Sequence, residues 1–327
     1  MKVLIVGGAG YIGSHAARVL HHGGHQPIIF DNLSTGYRKL AGDFPLIAGD
    51  VRDRQAVRAG LAGADAVMHF AAHAYVGESV RDPRKYFDNN VVGGLTLLEA
   101  VLDAGVRSFV FSSTCAVYGT PEQVPICEDA PRRPVSPYGE TKLLLELALA
   151  DYDRAYGVKF ASLRYFNAAG ADEAGDIGEY HQPETHLIPL ALAAAANLGP
   201  ELQIFGDDYP TPDGTCVRDY IHVNDLAEAH LRALEHLAAN HESFCLNLGT
   251  GRGYSVREIV AAVEKATGHK VPARITPRRE GDPPVLVADP TRAQQVLGWQ
   301  ARRSLDDIVA SAWQWMQNAH HPLGPFV

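Results

Sequence analysis

The chain has 327 residues, 46% of them hydrophobic, with 31 glycines and a formal net charge of −9 at pH 7. This length accommodates one large core and a smaller lobe, and the negative charge disfavours nucleic acid as a partner. No apolar run approaches the roughly 20 residues that span a bilayer, so we expect no membrane segment. A strand pattern begins at Lys2, so we expect no signal or transit peptide and a cytoplasmic enzyme.

The cysteines and histidines show no familiar metal-binding spacing. The cysteines form no C-x-x-C pair, which predicts reduced thiols. They are Cys115, Cys127, Cys216 and Cys245. The fifteen histidines contain no H-E-x-x-H motif, and a pair such as His21-His22 is typical of an exposed surface. We therefore expect no metal site.

The first predicted elements are a strand, a glycine-rich turn and a helix. Lys2 to Val6 is short, apolar and β-branched, as in a buried strand, and a helical pattern covers residues 14–20. Between them, Gly7, Gly10 and Gly13 allow a tight turn, close approach of a pyrophosphate and close helix packing. The helix N-terminus offers free N–H groups to phosphates, so this segment predicts a dinucleotide site.

Acidic residues follow the next two strands. The second strand, Pro27 to Phe30, ends in Asp31-Asn32. An acid at this place binds a ribose diol and repels a 2′-phosphate, which predicts NAD rather than NADP. Asp50 and Val51 follow a third strand, where they indicate either a contact with the adenine edge or an ordinary turn.

The alternation of strands and helices continues to about residue 167. Ala66 to Phe70 is a fourth strand, a long helix runs from the Asp82-Pro83 turn to about Ala104, and Phe109 to Phe111 is a fifth strand. This predicts an α/β fold with a Rossmann-type, doubly wound parallel sheet. Ligands bind beyond the carboxyl ends of such strands. We expect one crevice there, lined by Gly7, Asp31, Asp50, Phe70-Ala71-Ala72 and Ser112-Ser113-Thr114.

Asn90 lies inside the predicted long helix, in the run Asp88-Asn89-Asn90. It indicates either a cap for a cofactor group or a local bend of the helix.

Tyr138 and Lys142 stand four residues apart on a predicted helix and therefore share a face. A nearby ammonium favours the phenolate and lowers the tyrosine pKa toward working pH. A hydroxyl from the Ser112-Ser113-Thr114 run can hold the substrate oxygen that loses its proton. Alone, the spacing is more typical of an ordinary surface pair. Together with the dinucleotide turn, it favours a site that handles protons.

Two predicted helices, about 91–104 and about 140–150, are apolar nearly all round. A surface helix normally shows one apolar stripe. Two helices that each need two buried faces predict a homodimer, with C2 symmetry favoured. Deep burial within a monomer is the alternative.

The α/β rhythm changes after Asn167, which predicts a boundary. We expect residues 1–167 to bind NAD, with contributions from about 218–250, and residues 168–327 to form mainly a smaller α/β lobe for the substrate. Arg218 and Arg279 fall in this lobe. They are candidates to bind a second diphosphate, or else solvated surface charges.

Longer motifs resemble the extended short-chain dehydrogenase/reductase family, and within it the UDP-glucose 4-epimerases, over nearly the whole chain. They are residues 7–15, 30–34, 76–79, 112–114, 138–142, 164–167, 213–222 and Arg279-Glu280-Gly281-Asp282. The resemblance implies tightly bound NAD that is regenerated at each turnover. It also implies interconversion of UDP-glucose and UDP-galactose by transient oxidation at sugar C4, rotation of the 4-keto sugar and hydride return.

The resemblance further implies residue roles. Tyr138 would take the proton of the sugar 4-hydroxyl, and Thr114 would bind that oxygen, with Ser113 nearby. Lys142 would bind the nicotinamide ribose and lower the Tyr138 pKa. The implied cofactor contacts are Gly7, Gly10, Tyr11, Ile12, Gly13, Asp31, Asn32, Asp50, Val51, Phe70, Ala71, Ala72, Asn90, Ser112, Tyr138, Lys142 and Tyr165. The implied UDP-sugar contacts are Thr114, Tyr138, Asn167, His186, Leu187, Phe205, Arg218, Arg279, Asp282 and Leu286.

Two positions depart from the family pattern or vary within it. Ala74 stands where many members carry a lysine that contacts the cofactor, which puts the charge balance there in question. Leu286 stands where the family sets the size of the sugar pocket. Leucine is intermediate in size, which favours glucose and galactose. The alternative is a 4-epimerase of UDP-N-acetylhexosamines or UDP-pentoses.

Two further functions fit the sequence less well. A nucleotide-sugar 4,6-dehydratase would need an acid and a base near Thr114, where Cys115 and Ala116 cannot serve. A non-catalytic NAD-binding regulator would have no reason to keep Tyr138, Lys142 and Thr114 together.

Overall fold

The computed structural model describes residues 1–279 and 281–318, so Glu280 and the end of the predicted substrate lobe, 319–327, lie outside the described residues. The strands are β1 (Lys2–Val6), β2 (Gln26–Asp31), β3 (Leu46–Ala48), β4 (Ala66–His69), β5 (Ser108–Thr114), β6 (Lys159–Tyr165), β7 (Asn167–Ala169), β8 (Leu202–Phe205), β9 (Val217–His222), β10 (Phe244–Leu248), β11 (Gly253–Ser255), β12 (Ala273–Thr276) and β13 (Val285–Leu286). The helices are α1 (Tyr11–His22), α2 (Arg54–Gly60), α3 (Val76–Arg81), α4 (Pro83–Tyr86), α5 (Gly93–Asp103), α6 (Pro137–Tyr156), α7 (Leu187–Ala195), α8 (Val223–Asn240), α9 (Val256–Thr267), α10 (Thr291–Leu297) and α11 (Leu305–Gln317).

Seven parallel strands form the main sheet, in the order β10-β6-β5-β4-β1-β2-β3. The predicted Rossmann-type sheet is therefore confirmed. The chain adds strands on one side of β1 up to β3 and then returns to place β4 on the other side. This reversal of strand order opens a crevice at the carboxyl ends of β1 and β4.

Helices cover both faces of the main sheet. On one face α1 packs against α8, and the core there includes Leu20, Leu234 and Leu246. On the other face α2, α5 and α6 bury a second core that includes Leu98 and Leu149. Because both faces are buried, the strands need apolar residues at successive positions, which explains runs such as that of β1.

The helix bounds differ from the sequence prediction at two places. The helix α1 begins at Tyr11, immediately after the glycine turn, and not at residue 14. The predicted long helix from 83 to 104 is composed of α4, a π-helical turn over Phe87–Val92, and α5. A π-helical turn often marks a functional position, and this one contains Asn90.

The rest of the chain forms smaller sheets beside the crevice. Strands β11, β9 and β13 lie side by side, β7 pairs with β9, and β8 pairs with β12. The helices α7, α9 and α11 pack together in a third core. From β9 the chain returns through α8 to β10, at the edge of the main sheet. Among residues 1–279 and 281–318, no helix combines the length and the apolar character that crossing a membrane requires.

Candidate active site

A cavity of about 1060 Å³ lies at the carboxyl ends of the main strands and extends to the smaller sheets. Its wall includes the predicted cofactor and substrate residues with three exceptions, Asp50, Asn90 and Ser113. The topology therefore brings residues from Gly7 to Leu286 around one space.

The glycine turn after β1 needs glycine at two of its three predicted positions. Gly7 has a φ of +83°, and a Cβ there would lie 2.4 Å from the backbone nitrogen of Ala71. A Cβ on Gly13 would lie 2.3 Å from the carbonyl oxygen of Gly7. Gly10 is the N-cap of α1 and has no such clash. The start of α1 thus lines the cavity, and its first N–H groups would suit a pyrophosphate that approaches the backbone closely.

The Asp31 carboxylate stands at the end of β2 in the cavity wall. It accepts hydrogen bonds from the backbone N–H groups of Ala9 (3.0 Å) and Leu33 (2.8 Å). Burial raises its pKa, which these two N–H groups oppose. Each oxygen keeps further acceptor capacity, so the geometry fits the hydroxyls of a ribose.

Asp50 differs from its prediction as a cofactor contact. Its carboxylate accepts hydrogen bonds from the Arg52 guanidinium and from Asn32 Nδ2, and Arg52 holds its pKa well below the usual range. The cavity wall at this point is formed by Gly49 and Val51 instead. Asp50 is therefore placed to fix Asn32, which does face the cavity.

The predicted proton-handling residues meet where β5 ends and α6 begins. Ser136 caps α6 by accepting a hydrogen bond from the Gly139 N–H (3.3 Å), and Pro137 occupies the first turn. A Cβ on Gly139 would lie 2.6 Å from the Ala116 carbonyl oxygen, so α6 starts in close contact with the segment after Thr114. This contact brings Tyr138 into hydrogen-bonding reach of Thr114.

Thr114 and Lys142 each use part of their hydrogen-bonding capacity on the protein. Thr114 Oγ1 accepts a hydrogen bond from the Ala116 N–H (3.1 Å), which leaves its own proton for another acceptor. Lys142 Nζ donates to the Ser112 carbonyl oxygen (2.7 Å). The remaining two ammonium protons are available to a ligand.

The protein's own groups push both side chains toward their neutral forms. Burial raises the pKa of Tyr138, and the neighbouring Tyr165 adds to this, while the nearby Thr114 hydroxyl opposes it. Burial lowers the pKa of Lys142 to about 7, against a smaller opposing effect of Glu146. The predicted lowering of the tyrosine pKa is therefore not produced by the polypeptide alone. A positive charge placed close to the phenol would lower this pKa.

Ser113 differs from its prediction as a catalytic residue. It is fully buried, and its hydroxyl donates to Glu146 Oε1 at 2.6 Å. The Glu146 carboxylate also accepts from Arg164 Nε (2.8 Å) and Nη2 (2.7 Å). Ser113 thus bonds to a buried ion pair behind β5, while Ser112 and Thr114 line the cavity.

The Asn90 side chain forms hydrogen bonds within the protein and does not line the cavity. Its Oδ1 accepts from the His73 N–H (2.9 Å), and its Nδ2 donates to the His73 carbonyl oxygen (3.0 Å) and to Thr141 Oγ1 (3.1 Å). Both amide protons are engaged within the protein, and the role of Asn90 as a cofactor contact stays a prediction. Asn90 joins α6 to the segment after β4, and that segment lines the cavity.

The far end of the cavity carries the predicted cationic residues. Arg218 forms an ion pair with Asp282 (2.5 Å) and is largely buried. The Arg279 guanidinium lies 3.8 Å from the centre of the Phe205 ring. Asn167 donates to the Asp219 carbonyl oxygen (3.1 Å), and Leu286 pairs with Arg218 across β13 and β9. Two guanidiniums at one end of the cavity suit a diphosphate.

His186, predicted as a substrate contact, lies at the start of α7 and belongs to a group that the sequence analysis missed. Its Nδ1 is 2.8 Å from Glu179 Oε1 and 3.0 Å from Glu184 Oε1, and His181 stands beside the same carboxylates. The spacing E-x-H-x-x-E-x-H over residues 179–186 is the signal that could have revealed this group.

Comparison with known proteins places the chain in a family. Residues 3–249 match the model of the NAD dependent epimerase/dehydratase family. The UDP-glucose 4-epimerase of Rhizobium meliloti (strain 1021) is 52% identical over 316 residues, which cover 96% of each chain.

Two solved structures extend this likeness to the fold. The UDP-glucose 4-epimerase of Brucella ovis in complex with NAD is 50% identical, with a TM-score of 0.93 over 95% of this chain and 97% of that one. The UDP-glucose-4-epimerase of Stenotrophomonas maltophila, with bound NAD and formylated UDP-arabinopyranose, is 46% identical, with a TM-score of 0.93 over 96% and 97%. The chain therefore belongs to the NAD dependent epimerase/dehydratase family, with UDP-glucose 4-epimerases as its near relatives.

Proposed function

We propose that this protein interconverts UDP-glucose and UDP-galactose at the sugar C4 carbon, with NAD held in the crevice at the carboxyl ends of β1 and β4. The observation that carries the proposal is the meeting of Tyr138, Thr114 and Lys142 in the wall of the same cavity as the glycine turn. The relatives named UDP-glucose 4-epimerase align with this chain over nearly their whole length. A non-catalytic regulator would not need these three groups together.

The cofactor side of the proposal rests on shape and charge. Gly7 and Gly13 leave room for backbone contact with the pyrophosphate, and Asp31 offers acceptors for a ribose. Lys142 would bind the second ribose with the two ammonium protons that Ser112 does not use. Bound NAD supplies the oxidation and re-reduction of the C4 carbon.

The proton steps belong to the protein. Tyr138, as phenolate, would accept the proton of the 4-hydroxyl, and Thr114 would donate its free proton to the same oxygen. Since burial raises the pKa of Tyr138, the phenolate forms readily only beside positive charge from Lys142 and the nicotinamide. The phenolate base is therefore available mainly when the site is fully assembled.

The UDP group would lie at the far end of the cavity, between Arg218 and Arg279, with Asn167 and Phe205 beside it. Contacts with the nucleotide, which does not react, can supply most of the binding energy. The sugar then needs few contacts of its own and is free to turn. Leu286 lines the cavity. The names of the relatives favour glucose and galactose over N-acetylhexosamines and pentoses.

The direct test is to incubate purified protein with UDP-galactose, without added cofactor, and to measure UDP-glucose by chromatography. Conversion is expected, and Tyr138→Phe should abolish it while retaining bound NAD. A Tyr138→Phe protein that epimerised at the wild-type rate would refute the mechanism. Conversion of UDP-N-acetylglucosamine or UDP-xylose in preference to UDP-galactose would favour the alternative substrates.

We also propose a homodimer through α5 and α6. Four apolar side chains on this surface are between 38% and 51% exposed: Val92, Leu95, Leu144 and Leu147. These two helices contact each other, so the exposed residues form one apolar surface, which a second copy would cover. Light scattering should give the mass of a dimer, and Leu144→Glu with Leu147→Glu should give a monomer. A monomeric wild type would refute the dimer.

We also propose a role for each region of the chain and a cytoplasmic location. Residues 1–167, with about 218–250, would bind NAD, and residues 168–327 would bind mainly the UDP-sugar. The four cysteines are free thiols, which suits work in the cytoplasm. Fractionation of cells that produce the protein, with immunodetection, tests the location.

A further inference from the structure

The loop between β7 and α7, residues 170–186, has little regular structure of its own. Its backbone forms one isolated bridge, Ala171 to Gly178, and no helix or strand. Near the end of this loop, Glu179, His181, Glu184 and His186 bring their side chains together, and all of them except Glu184 line the active-site cavity. One potential ligand atom from each of the four lies within 4.8 Å of the other three.

The distances from the carboxylate oxygens to the two imidazole nitrogens, which involve Oε1 of Glu179 and both oxygens of Glu184, are close to the edge length of a small coordination tetrahedron. Glu179 Oε1 lies 2.8 Å from His186 Nδ1 and 3.2 Å from His181 Nδ1. The Glu184 oxygens lie 3.0 Å from His186 Nδ1 and 3.6 Å from His181 Nδ1. Ligands held at about 2.0–2.1 Å from a tetrahedral Zn²⁺ lie about 3.3 Å from one another.

A second observation concerns hydrogen bonding. Among the described residues, no group meets hydrogen-bond geometry with the buried atoms His181 Nδ1 and Glu184 Oε2, although each lies near an oppositely charged group, and the Glu184 side chain is only 10% exposed. Glu184 Oε1, in contrast, accepts from the N–H groups of Thr185 (2.7 Å) and His186 (2.8 Å). The backbone therefore fixes this carboxylate with its second oxygen directed into the group. Buried atoms of this kind need a partner.

From this geometry we propose that Glu179, His181, Glu184 and His186 bind one divalent transition-metal ion, with Zn²⁺ as the best fit. Two imidazole nitrogens with two carboxylate oxygens suit Zn²⁺ better than Mg²⁺ or Ca²⁺, which prefer all-oxygen sites. Two carboxylates and two neutral imidazoles also balance the charge of the ion. Four protein ligands close the coordination, which is typical of a structural site.

The position of the group indicates what the ion would stabilise. The His181 ring contacts the ring edges of Tyr11 and Tyr75, with centroids 6.4 Å and 6.1 Å away. Tyr11 belongs to the start of α1, and its hydroxyl donates to the Gly170 carbonyl oxygen (2.6 Å). The ion would therefore fix the loop between the cofactor turn and the start of α7, and it would take no part in proton transfer.

Metal content tests the proposal on protein without an affinity tag. Protein produced with added zinc and dialysed against metal-free buffer should contain about one Zn²⁺ per chain. His181→Gln and Glu184→Gln should each lose at least nine-tenths of it, and the double variant His22→Gln/His269→Gln, which changes two exposed surface histidines, should keep it. Bound NAD, measured in each sample, reports whether the variants fold.

Cobalt provides a readout that does not depend on any variant. Wild-type protein stripped of zinc and given Co²⁺ should show the strong visible absorption of four-coordinate cobalt, and added Zn²⁺ should remove it. Zinc should also raise the melting temperature of wild type by several degrees and leave that of a folded His181→Gln protein unchanged. Wild-type protein with neither zinc nor the cobalt absorption would overturn the proposal, as would variants that retain the ion.

Discussion

Ser113 Oγ donates a hydrogen bond of 2.6 Å to Glu146 Oε1 on the side of β5 that faces away from the cavity. The next residue, Thr114, lines the cavity and reaches Tyr138. Two adjacent hydroxyls on one strand therefore have different tasks. One supports a buried ion pair, and the other is available to the substrate.

This division predicts opposite effects of two small substitutions. Ser113→Ala should cost about 1 kcal/mol of stability through the lost hydrogen bond and leave turnover close to wild type. Thr114→Val should lower kcat by roughly 10²-fold or more, since it removes the donor to the reacting oxygen, with little loss of stability. Steady-state kinetics and thermal unfolding of both variants provide the check, and Thr114→Ser should restore most of the activity. Equal kinetic losses in Ser113→Ala and Thr114→Val would contradict the division.

The ion pair behind Ser113 predicts a large effect on stability. Glu146 and Arg164 are almost fully buried, with side chains 1% and 3% exposed. Glu146→Gln would leave the Arg164 charge unpaired in the interior, and we expect a loss of about 3–5 kcal/mol in the free energy of unfolding. Chemical denaturation measures it. Glu99→Gln, at an exposed position on α5, is the matched control and should change stability little.

Much of the fold and the cofactor side of the site could be predicted because the signals are local. The glycine turn, the acid after β2 and the strand–helix alternation each lie within a few adjacent residues. Alternation along a strand could also have separated Ser113 from Ser112 and Thr114, since successive side chains point to opposite faces. The signal that distinguishes Ser113 from its neighbours is therefore also local.

Other features depend on contacts between distant segments. No local pattern pairs Arg218 with Asp282 or Glu146 with Arg164. Asn90 lies in the π-helical turn, which shifts the register of the helix. A regular α-helical pattern therefore predicts the wrong direction for its side chain. The partners of Asn90 became apparent only from the packing of α6 against the segment after β4.

The buried Lys142 side chain should lower the free energy of unfolding by an amount that depends on pH. Burial lowers its pKa from the ordinary 10.5 to about 7, so between these values the unfolded chain binds more protons than the folded protein. The penalty is therefore fully present below about pH 7 and fades as the pH rises toward 10.5. Lys142→Met should stabilise NAD-free protein at pH 6 by a few kcal/mol, much less at pH 9, and should abolish activity. Melting temperatures at the two pH values measure the difference. A difference in melting temperature between wild type and variant that was as large at pH 9 as at pH 6 would contradict this account.

The glycine turn allows a test that separates backbone strain from cofactor binding. Gly7→Ala should destabilise the protein by more than about 3 kcal/mol, because the new Cβ overlaps the Ala71 backbone and φ is positive. Gly24→Ala is the matched control, with a φ of +80° and nothing within 4 Å, and should cost about 1–2 kcal/mol. Gly10→Ala should keep near-normal stability and lose bound NAD, since its methyl group enters the cavity at the start of α1. Unfolding curves and NAD content after gel filtration distinguish the three.

Arg279 and its sequence neighbour Arg278 provide a matched pair for the substrate end of the cavity. Both guanidiniums stack on aromatic rings: Arg279 on Phe205 at 3.8 Å, in the cavity wall, and Arg278 on Tyr209 at 4.1 Å, outside that wall. A lysine keeps the charge but loses the planar fork that binds phosphate oxygens and stacks on a ring. Arg279→Lys should therefore weaken UDP binding about tenfold, roughly 1.4 kcal/mol, while Arg278→Lys should leave it unchanged. Calorimetric titration of UDP into both variants measures this. If the two lost affinity equally, a general effect of surface charge would account for the result, and Arg279 would not be a direct ligand of the diphosphate.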